Sequence, residues 1–324
     1  MQVQRQANPS SAVTSPVTGG GTRFVKELDA ATIVARYAEQ GFDVASYFDG
    51  MEKVAILQCE DTGYRFFYPP SLAGEDDFYE HLNRISTADS EDPSYRDWSD
   101  DYEYLFSRLV PGERLLDVGC GKGAFVKRAA EVCEATGIDG NSNAVARAVA
   151  SGLDVRRGHT SDFRHEFAGC FDTVASFQVL EHIYAVAGFI EDLKQFIKPG
   201  GRIVIAVPNN EPYLRRFDPY NAMNCPPHHI GLWNLKSLDR LGQRFGLKIV
   251  DHAYCETSGR WHVEAYLRAR LMLGLTTEIH EHGMKEKLAM LALAPLTVPQ
   301  SLVRHVRTGG LGTRNVVAVS FKRG

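Results

Sequence analysis

From residue 105 onward, short apolar runs alternate with stretches of helical periodicity at the spacing of βαβ units. A helix is predicted over 102–109, stopped by Pro111-Gly112, and a strand over 114–118 that runs into a glycine-rich loop and a helix over 124–135. A strand over 136–139 precedes a helix over 142–150, and 153–156 supplies a third strand. The fourth strand, 173–177, leads through Gln178-Val179-Leu180-Glu181-His182 into a helix ending at Lys198-Pro199-Gly200-Gly201, before a fifth strand over 202–207. Two further strands are predicted over 248–253 and 315–321. The pattern is that of an α/β, doubly wound, mostly parallel sheet, whose ligands sit at the carboxyl ends of the strands.

Outside that region the patterning changes. Residues 25–85 read as a small α+β unit, with a helical stretch over 30–40 and apolar runs over 54–58 and 64–68 separated by Asp61-Thr62-Gly63. Residues 1–24, rich in Ser, Thr, Gly, Gln and Pro, lack the apolar core of a secretory signal and are expected to be a disordered tail. The acidic stretch 74–103 is expected to be a solvated linker and helix surface. A region over 257–311 is helical in pattern and locally basic (Arg260, Arg268, Arg270, Lys285, Lys287, Arg304, Arg307), as a helical insertion or lid would be. Its apolar piece, 288–296, reads as a packed helix and leaves a peripheral membrane contact open.

Composition narrows the class. With 324 residues, 44% of them hydrophobic, and a formal net charge of -4, the chain suits one large globular domain with appendages or two modest ones. A balance of 36 basic and 40 acidic residues gives no whole-chain attraction to phosphate backbones, so no nucleic-acid partner is expected. Cys59, Cys120, Cys133, Cys170, Cys225 and Cys255 are scattered singly, which points to reduced thiols in the cytoplasm and to no zinc knuckle. No apolar run approaches the roughly 20 residues that span a bilayer.

The loop Asp117-Val118-Gly119-Cys120-Gly121-Lys122-Gly123 concentrates the chemistry. Three alternate glycines let a ligand lie against the backbone where the next helix begins, and Asp139 closes the next strand where a carboxylate can accept ribose hydroxyls. Together they describe a nucleoside-containing cofactor, although Gly119, Gly121 and Ala124 also satisfy the dinucleotide fingerprint.

The run from Leu115 to Gly123 resembles motif I of the class I S-adenosylmethionine-dependent methyltransferases. Asp139, Val179-Leu180-Glu181-His182-Ile183 and Lys198-Pro199-Gly200-Gly201 resemble later marks of the same family, in the same order. The resemblance implies a Rossmann-like seven-stranded sheet of order 3-2-1-4-5-7-6 with the last strand antiparallel, over 86–256 and 312–324. It implies S-adenosyl-L-methionine as cofactor and S-adenosyl-L-homocysteine as product. Carried over, Gly119, Cys120, Gly121 and Gly123 line the methionine moiety, Asp117 helps fix its amino end, and Asp139 and Gly140 hold the ribose. Asp162 and Phe163 would meet the adenine, with a helix cap as the alternative for Asp162. Gln178 and Val179 would border the sulfonium. Cys59, Gly63 and the residues around them resemble an N-terminal CxxCG segment of bacterial methyltransferases, but Thr62 stands where the second cysteine would be.

Methyl transfer from a sulfonium is a displacement that needs a base only when the nucleophile starts protonated. His182, after the fourth strand, is a candidate base or a structural residue. In Pro226-Pro227-His228-His229, one histidine is expected to touch substrate, since adjacent loop residues rarely point the same way. No carboxylate stands at ligand spacing from that pair, so no metal is expected. Asp218-Pro219-Tyr220 is one proline short of the signature of methylases acting on exocyclic nitrogens and follows the wrong strand. That argues against nucleic-acid amines and for a small-molecule acceptor, which the basic residues of 257–311 suit to an anionic or nucleotide-linked one; the resemblance of the N-terminal segment implies methylation on a hydroxyl of a sugar or cell-envelope precursor. Quinol or phenol methylation of the ubiquinone-biosynthesis type and a non-catalytic cofactor-binding scaffold are the alternatives.

Overall fold

The structure, a computed structural model, describes residues 13–74, 78–79, 98–211, 220–255 and 316–324. The insertion expected over 257–311 and most of the acidic stretch lie outside the described residues. In chain order the elements are β1 (Thr22–Asp29), α1 (Ala30–Ala38), β2 (Lys53–Cys59), β3 (Arg65–Tyr68), α2 (Asp100–Phe106), β4 (Arg114–Val118), α3 (Ala124–Ala129), β5 (Glu134–Asp139) and α4 (Ser142–Ala150). They continue with β6 (Val155–Arg157), β7 (Phe171–Phe177), α5 (Val186–Phe196), β8 (Ile197–Pro208), β9 (Gly231–Leu232), α6 (Leu235–Arg244), β10 (Leu247–Cys255) and β11 (Val316–Arg323).

Seven strands form one sheet in the order β6-β5-β4-β7-β8-β11-β10. Strands β4 to β8 pair in parallel, while β11 runs antiparallel to both β8 and β10. This is the expected 3-2-1-4-5-7-6 order. The central strands carry apolar side chains on both faces, because helices cover both: Val174 and Ala175 of β7, and Ile203, Val204 and Ile205 of β8, are all buried. Helix α4 has its expected bounds, capped by Asn141, whose side chain accepts from Ala144 N. The helix expected over 124–135 ends at Ala129, and the chain from Glu134 already belongs to β5, in parallel register with Arg114.

The N-terminal unit is not self-contained. Its sheet has the order β1-β2-β3-β9, and β9 arrives from beyond β8, with Phe66 opposite Gly231 and Arg65 opposite Leu232. Leu57, Cys59, Tyr64 and Phe66 share one apolar cluster with Leu116, Val174 and Ile205 of the large sheet. Trp233 closes the seam, its ring stacked 3.9 Å from that of Tyr64. Truncating such a buried aromatic costs about 3–5 kcal/mol. Nor are residues 13–24 a loose tail: Val17 is buried in the same cluster, Ser15 Oγ accepts from Val17 N, and Thr22 opens β1. An edge strand so rich in polar residues has no apolar periodicity to announce it.

Candidate cofactor and acceptor site

Gly119, Gly121 and Gly123 have φ of 77°, 55° and 79°, a region that costs any other residue about 1–3 kcal/mol. Their surroundings differ. A Cβ on Gly119 would overlap Val179 Cγ2, and one on Gly123 would stand 2.6 Å from Leu153 Cδ1, so both glycines serve close packing. A Cβ on Gly121 would meet nothing within 4 Å, which leaves open space against its backbone. Gly119 N and Cys120 N both donate to Ile138 O, tying the turn to β5. Asp139 completes the tie: Oδ2 accepts from Gly121 N and Oδ1 from Asn141 N, each at 2.8 Å.

Asp117, at the end of β4, is buried, and its burial together with the charges of Asp139 and Asp101 pushes its pKa up to about 8. Asp101 was expected on a solvated helix surface. The fold instead buries it on α2, where its Oδ2 accepts from Gln178 Nε2 at 3.0 Å. Gln178 is held at φ 54°, its N–H donating to Ala206 O. Nothing in the local sequence separates Asp101 from the acids around it, since its partner lies 77 residues away.

Other expected contacts are redistributed. Cys120 turns its sulfur toward Gly137, where a Cβ would stand 2.6 Å from it, and toward Gly121 O at 3.7 Å. His159 packs over Gly140, its Cε1 2.8 Å from where a Cβ would be. Asp162 is not the N-cap of its alternative reading: His159 takes that place, and Asp162 sits three residues on, its Oδ2 accepting from His159 N at 2.9 Å to complete a capping box. Phe163 is a core residue, stacked on Phe167 at 4.8 Å. Cys59 is buried beside Thr62, whose N–H donates to its sulfur at 3.5 Å.

The histidines converge. His182 follows β7, and the 220–233 segment brings His228 and His229 alongside it, with ring centroids 4.8 and 5.0 Å from that of His182. Contrary to expectation, His228 and His229 turn the same way, stacked at 4.4 Å. Two tyrosines from the N-terminal unit set the geometry. Tyr37 Oη donates to the carbonyls of Ala222 and Cys225, and Tyr79 Oη donates to His228 O. His182 Nδ1 lies 2.6 Å from His228 O, and since a carbonyl only accepts, Nδ1 carries the proton and Nε2 is the basic nitrogen. Burial lowers the His182 pKa to about 4, so the ring is neutral near pH 7. The buried Glu181 places Oε1 4.0 Å from Nε2 of both His182 and His229.

Residues 90–252 match the methyltransferase-domain family, about half of the chain and most of the seven-stranded sheet. The chain belongs to the class I S-adenosylmethionine-dependent methyltransferase family. It is 28% identical over 160 residues to a protein of Mycolicibacterium smegmatis named a probable S-adenosylmethionine-dependent methyltransferase, covering 48% of this chain and 60% of that one. It is 35% identical over 118 residues to the ubiquinone biosynthesis O-methyltransferase of Xanthomonas axonopodis pv. citri, covering 34% of this chain and 49% of that one. The match thus spans less than two thirds of either relative. Among solved structures, the Haloferax volcanii complex between the Trm112 methyltransferase activator and the candidate methyltransferase aligns with a TM-score of 0.50 at 16% identity. That alignment covers 73% of this chain and 95% of the other, a likeness of fold alone.

In this methyltransferase the residues present suit S-adenosylmethionine. The open backbone at Gly121 admits a ligand against the turn, and the acids Asp117, Asp139 and Asp101 around it call for one that brings positive charge and hydroxyls.

Proposed function

We propose that this methyltransferase acts on a hydroxyl oxygen of a small molecule, bound at the carboxyl ends of β4 and β7. The observation that carries the reading is the cluster of Glu181, His182, His228 and His229, which offers acceptors for a hydroxyl proton; Glu181 and His182 stand four residues or fewer along the chain from Gln178 and Val179, and His228 and His229 are folded against them. The cofactor supplies a methyl group already activated on positive sulfur. The protein's share is positioning, exclusion of water and removal of one proton. Gly121 and its neighbours in the turn receive the methionine part, with Asp117 drawing its amino end. Asp139 accepts from the ribose, Asp162 remains the candidate for the adenine amino group, and Gln178 and Val179 border the sulfur. His182, already neutral, is the candidate to take that proton.

The acceptor class we favour is a sugar or cell-envelope precursor, supported by the resemblance of the N-terminal segment. A second reading, a phenol or quinol, is favoured by the ubiquinone O-methyltransferase relatives. Labelled cofactor offered with metabolite extracts, then with matched sugars and phenols, separates them once the methylated atom is located by mass spectrometry. Label on nitrogen or carbon would overturn the hydroxyl reading. Tight cofactor binding without any turnover would return the scaffold reading. Among the described residues no helix is long and apolar enough to cross a membrane.

A further inference from the structure

Ligand-bearing side chains converge beyond β7 from two distant stretches of chain. Glu181 and His182 come from the turn after β7, while His228 and His229 come from the segment that β9 pins to β3. One nitrogen from each histidine lies within 4.8 Å of the others. Glu181 Oε1 stands 4.0 Å from Nε2 of His182 and, equally, 4.0 Å from Nε2 of His229. The other ring nitrogens are engaged on oxygen: His182 Nδ1 with His228 O at 2.6 Å and Tyr79 Oη at 3.1 Å, and His229 Nδ1 with Asn224 Oδ1 at 3.3 Å. Metal-binding imidazoles are held in this way, one nitrogen fixed to an oxygen so that the other faces the ion. The spacing of His228 and His229 in the sequence offered no carboxylate; the fold supplies Glu181.

We propose that Glu181, His182, His228 and His229 bind a divalent transition cation of the zinc class. Three imidazoles and a carboxylate form a nitrogen-rich set that suits Zn²⁺, Co²⁺ or Ni²⁺, whereas Mg²⁺ and Ca²⁺ require mostly oxygen. Ligands roughly 2.0–2.1 Å from a tetrahedral ion stand about 3.3 Å apart, so the 4.0 Å gaps close with small side-chain movements. His182 N donates to Val179 O at 2.9 Å, so the cluster is one turn from the residue that touches Gly119. An ion there would lower the pKa of an acceptor hydroxyl coordinated to it. That consequence rests on the hydroxyl reading; metal binding does not.

The test is a Co²⁺ titration of the full chain after chelator treatment, followed in visible absorption, with Zn²⁺ displacement and elemental analysis. The expected result is one Co²⁺ per chain, displaced by Zn²⁺ but not by excess Mg²⁺, without the near-ultraviolet band of a thiolate ligand. Glu181→Gln and His229→Ala should each weaken Co²⁺ binding by about tenfold or more while S-adenosylhomocysteine still binds, which reports an intact fold. Absence of saturable Co²⁺ binding in wild-type protein that binds S-adenosylhomocysteine overturns the site. A thiolate band, or unchanged affinity in whichever of the two variants folds, overturns it as well.

Discussion

Val179 occupies the space that a Cβ on Gly119 would need, so the end of β7 and the turn after β4 are packed backbone against side chain. Gly121, two residues on, faces open space at the same kind of left-handed φ. The two glycines should therefore fail differently. Gly119→Ala is expected to destabilise the fold by about 2–5 kcal/mol, from backbone strain plus overpacking. Gly121→Ala should cost only about 1–2 kcal/mol, yet place a methyl group against the ligand. Thermal unfolding and calorimetry with S-adenosylhomocysteine measure both, and equal loss of cofactor affinity per unit of lost stability would refute the distinction.

Asp139 both shapes the turn and faces the expected ribose. Its two oxygens hold Gly121 N and Asn141 N, so replacement acts on loop and ligand together. Asp139→Ala is expected to weaken S-adenosylhomocysteine by about 1–3 kcal/mol, with a smaller loss for Asp139→Asn, which keeps one acceptor oxygen. An unchanged calorimetric affinity in Asp139→Ala would remove this residue from the cofactor site.

The large sheet was legible because buried parallel strands are continuous apolar runs and the glycine turn has a strong local signature. Strand β4 and helix α4 fall on their expected bounds. What escaped depends on partners remote in sequence. The two residues of β9 have no periodicity and exist only because β3 is beside them. Helix α6 was missed although its capping box, Asn234 with Ser237, stands in the sequence as a start signal. The site divides in the same way: Gly121 and Asp139 could be read from spacing, but the burial of Asp101 and the meeting of Glu181 with His229 required the fold.

Asp117 should give stability a negative slope with pH. Its folded pKa, about 8, lies above the unfolded value near 3.8, with burial the main cause and Asp139 and Asp101 adding to it; the Cys120 thiol is the other titratable group beside it. Between those values the native state keeps a proton that the unfolded chain has lost, so this contribution is full below about pH 4 and is lost as pH rises through 8. Relative to Asp117→Asn, the wild type should lose stability on the order of a few kcal/mol over that range. Parallel denaturation curves for the two proteins at every pH would refute it. If Asp117 meets the cationic amino end of the cofactor, binding near neutral pH should also release protons, seen as a buffer-dependent calorimetric heat.

Gln178 carries the one left-handed non-glycine backbone among the described residues, and its amide satisfies the buried Asp101. Gln178→Ala keeps the strain and loses the hydrogen bond, whereas Gln178→Gly loses the bond but relieves the backbone. The alanine variant should be less stable than wild type by about 1–3 kcal/mol, and the glycine variant more stable than the alanine variant by about 1 kcal/mol. Alanine proving the more stable of the two would show that the backbone at 178 stores no strain.

Tyr37 tests whether the N-terminal unit serves the reaction or only the fold. Its hydroxyl, buried on α1, donates to Ala222 O at 2.6 Å and Cys225 O at 2.8 Å and lies 3.3 Å from His228 N, so one side chain fixes the segment that presents His228 and His229. Burial holds the phenol well above its usual pKa, which keeps it a donor across the working range. Tyr37→Phe preserves the ring packing against Phe42 and Phe78 and deletes only the oxygen. The expected stability loss is about 1–2 kcal/mol, from carbonyls left without their donor. The histidine segment meets the turn after β7 at Glu181, whose carbonyl accepts from Ile230 N and Gly231 N, and not at the glycine turn itself, so S-adenosylhomocysteine affinity should hold while methyl transfer to the acceptor falls. A parallel fall in both would mean that Tyr37 supports the whole sheet, and no fall in turnover would detach His228 and His229 from the reaction.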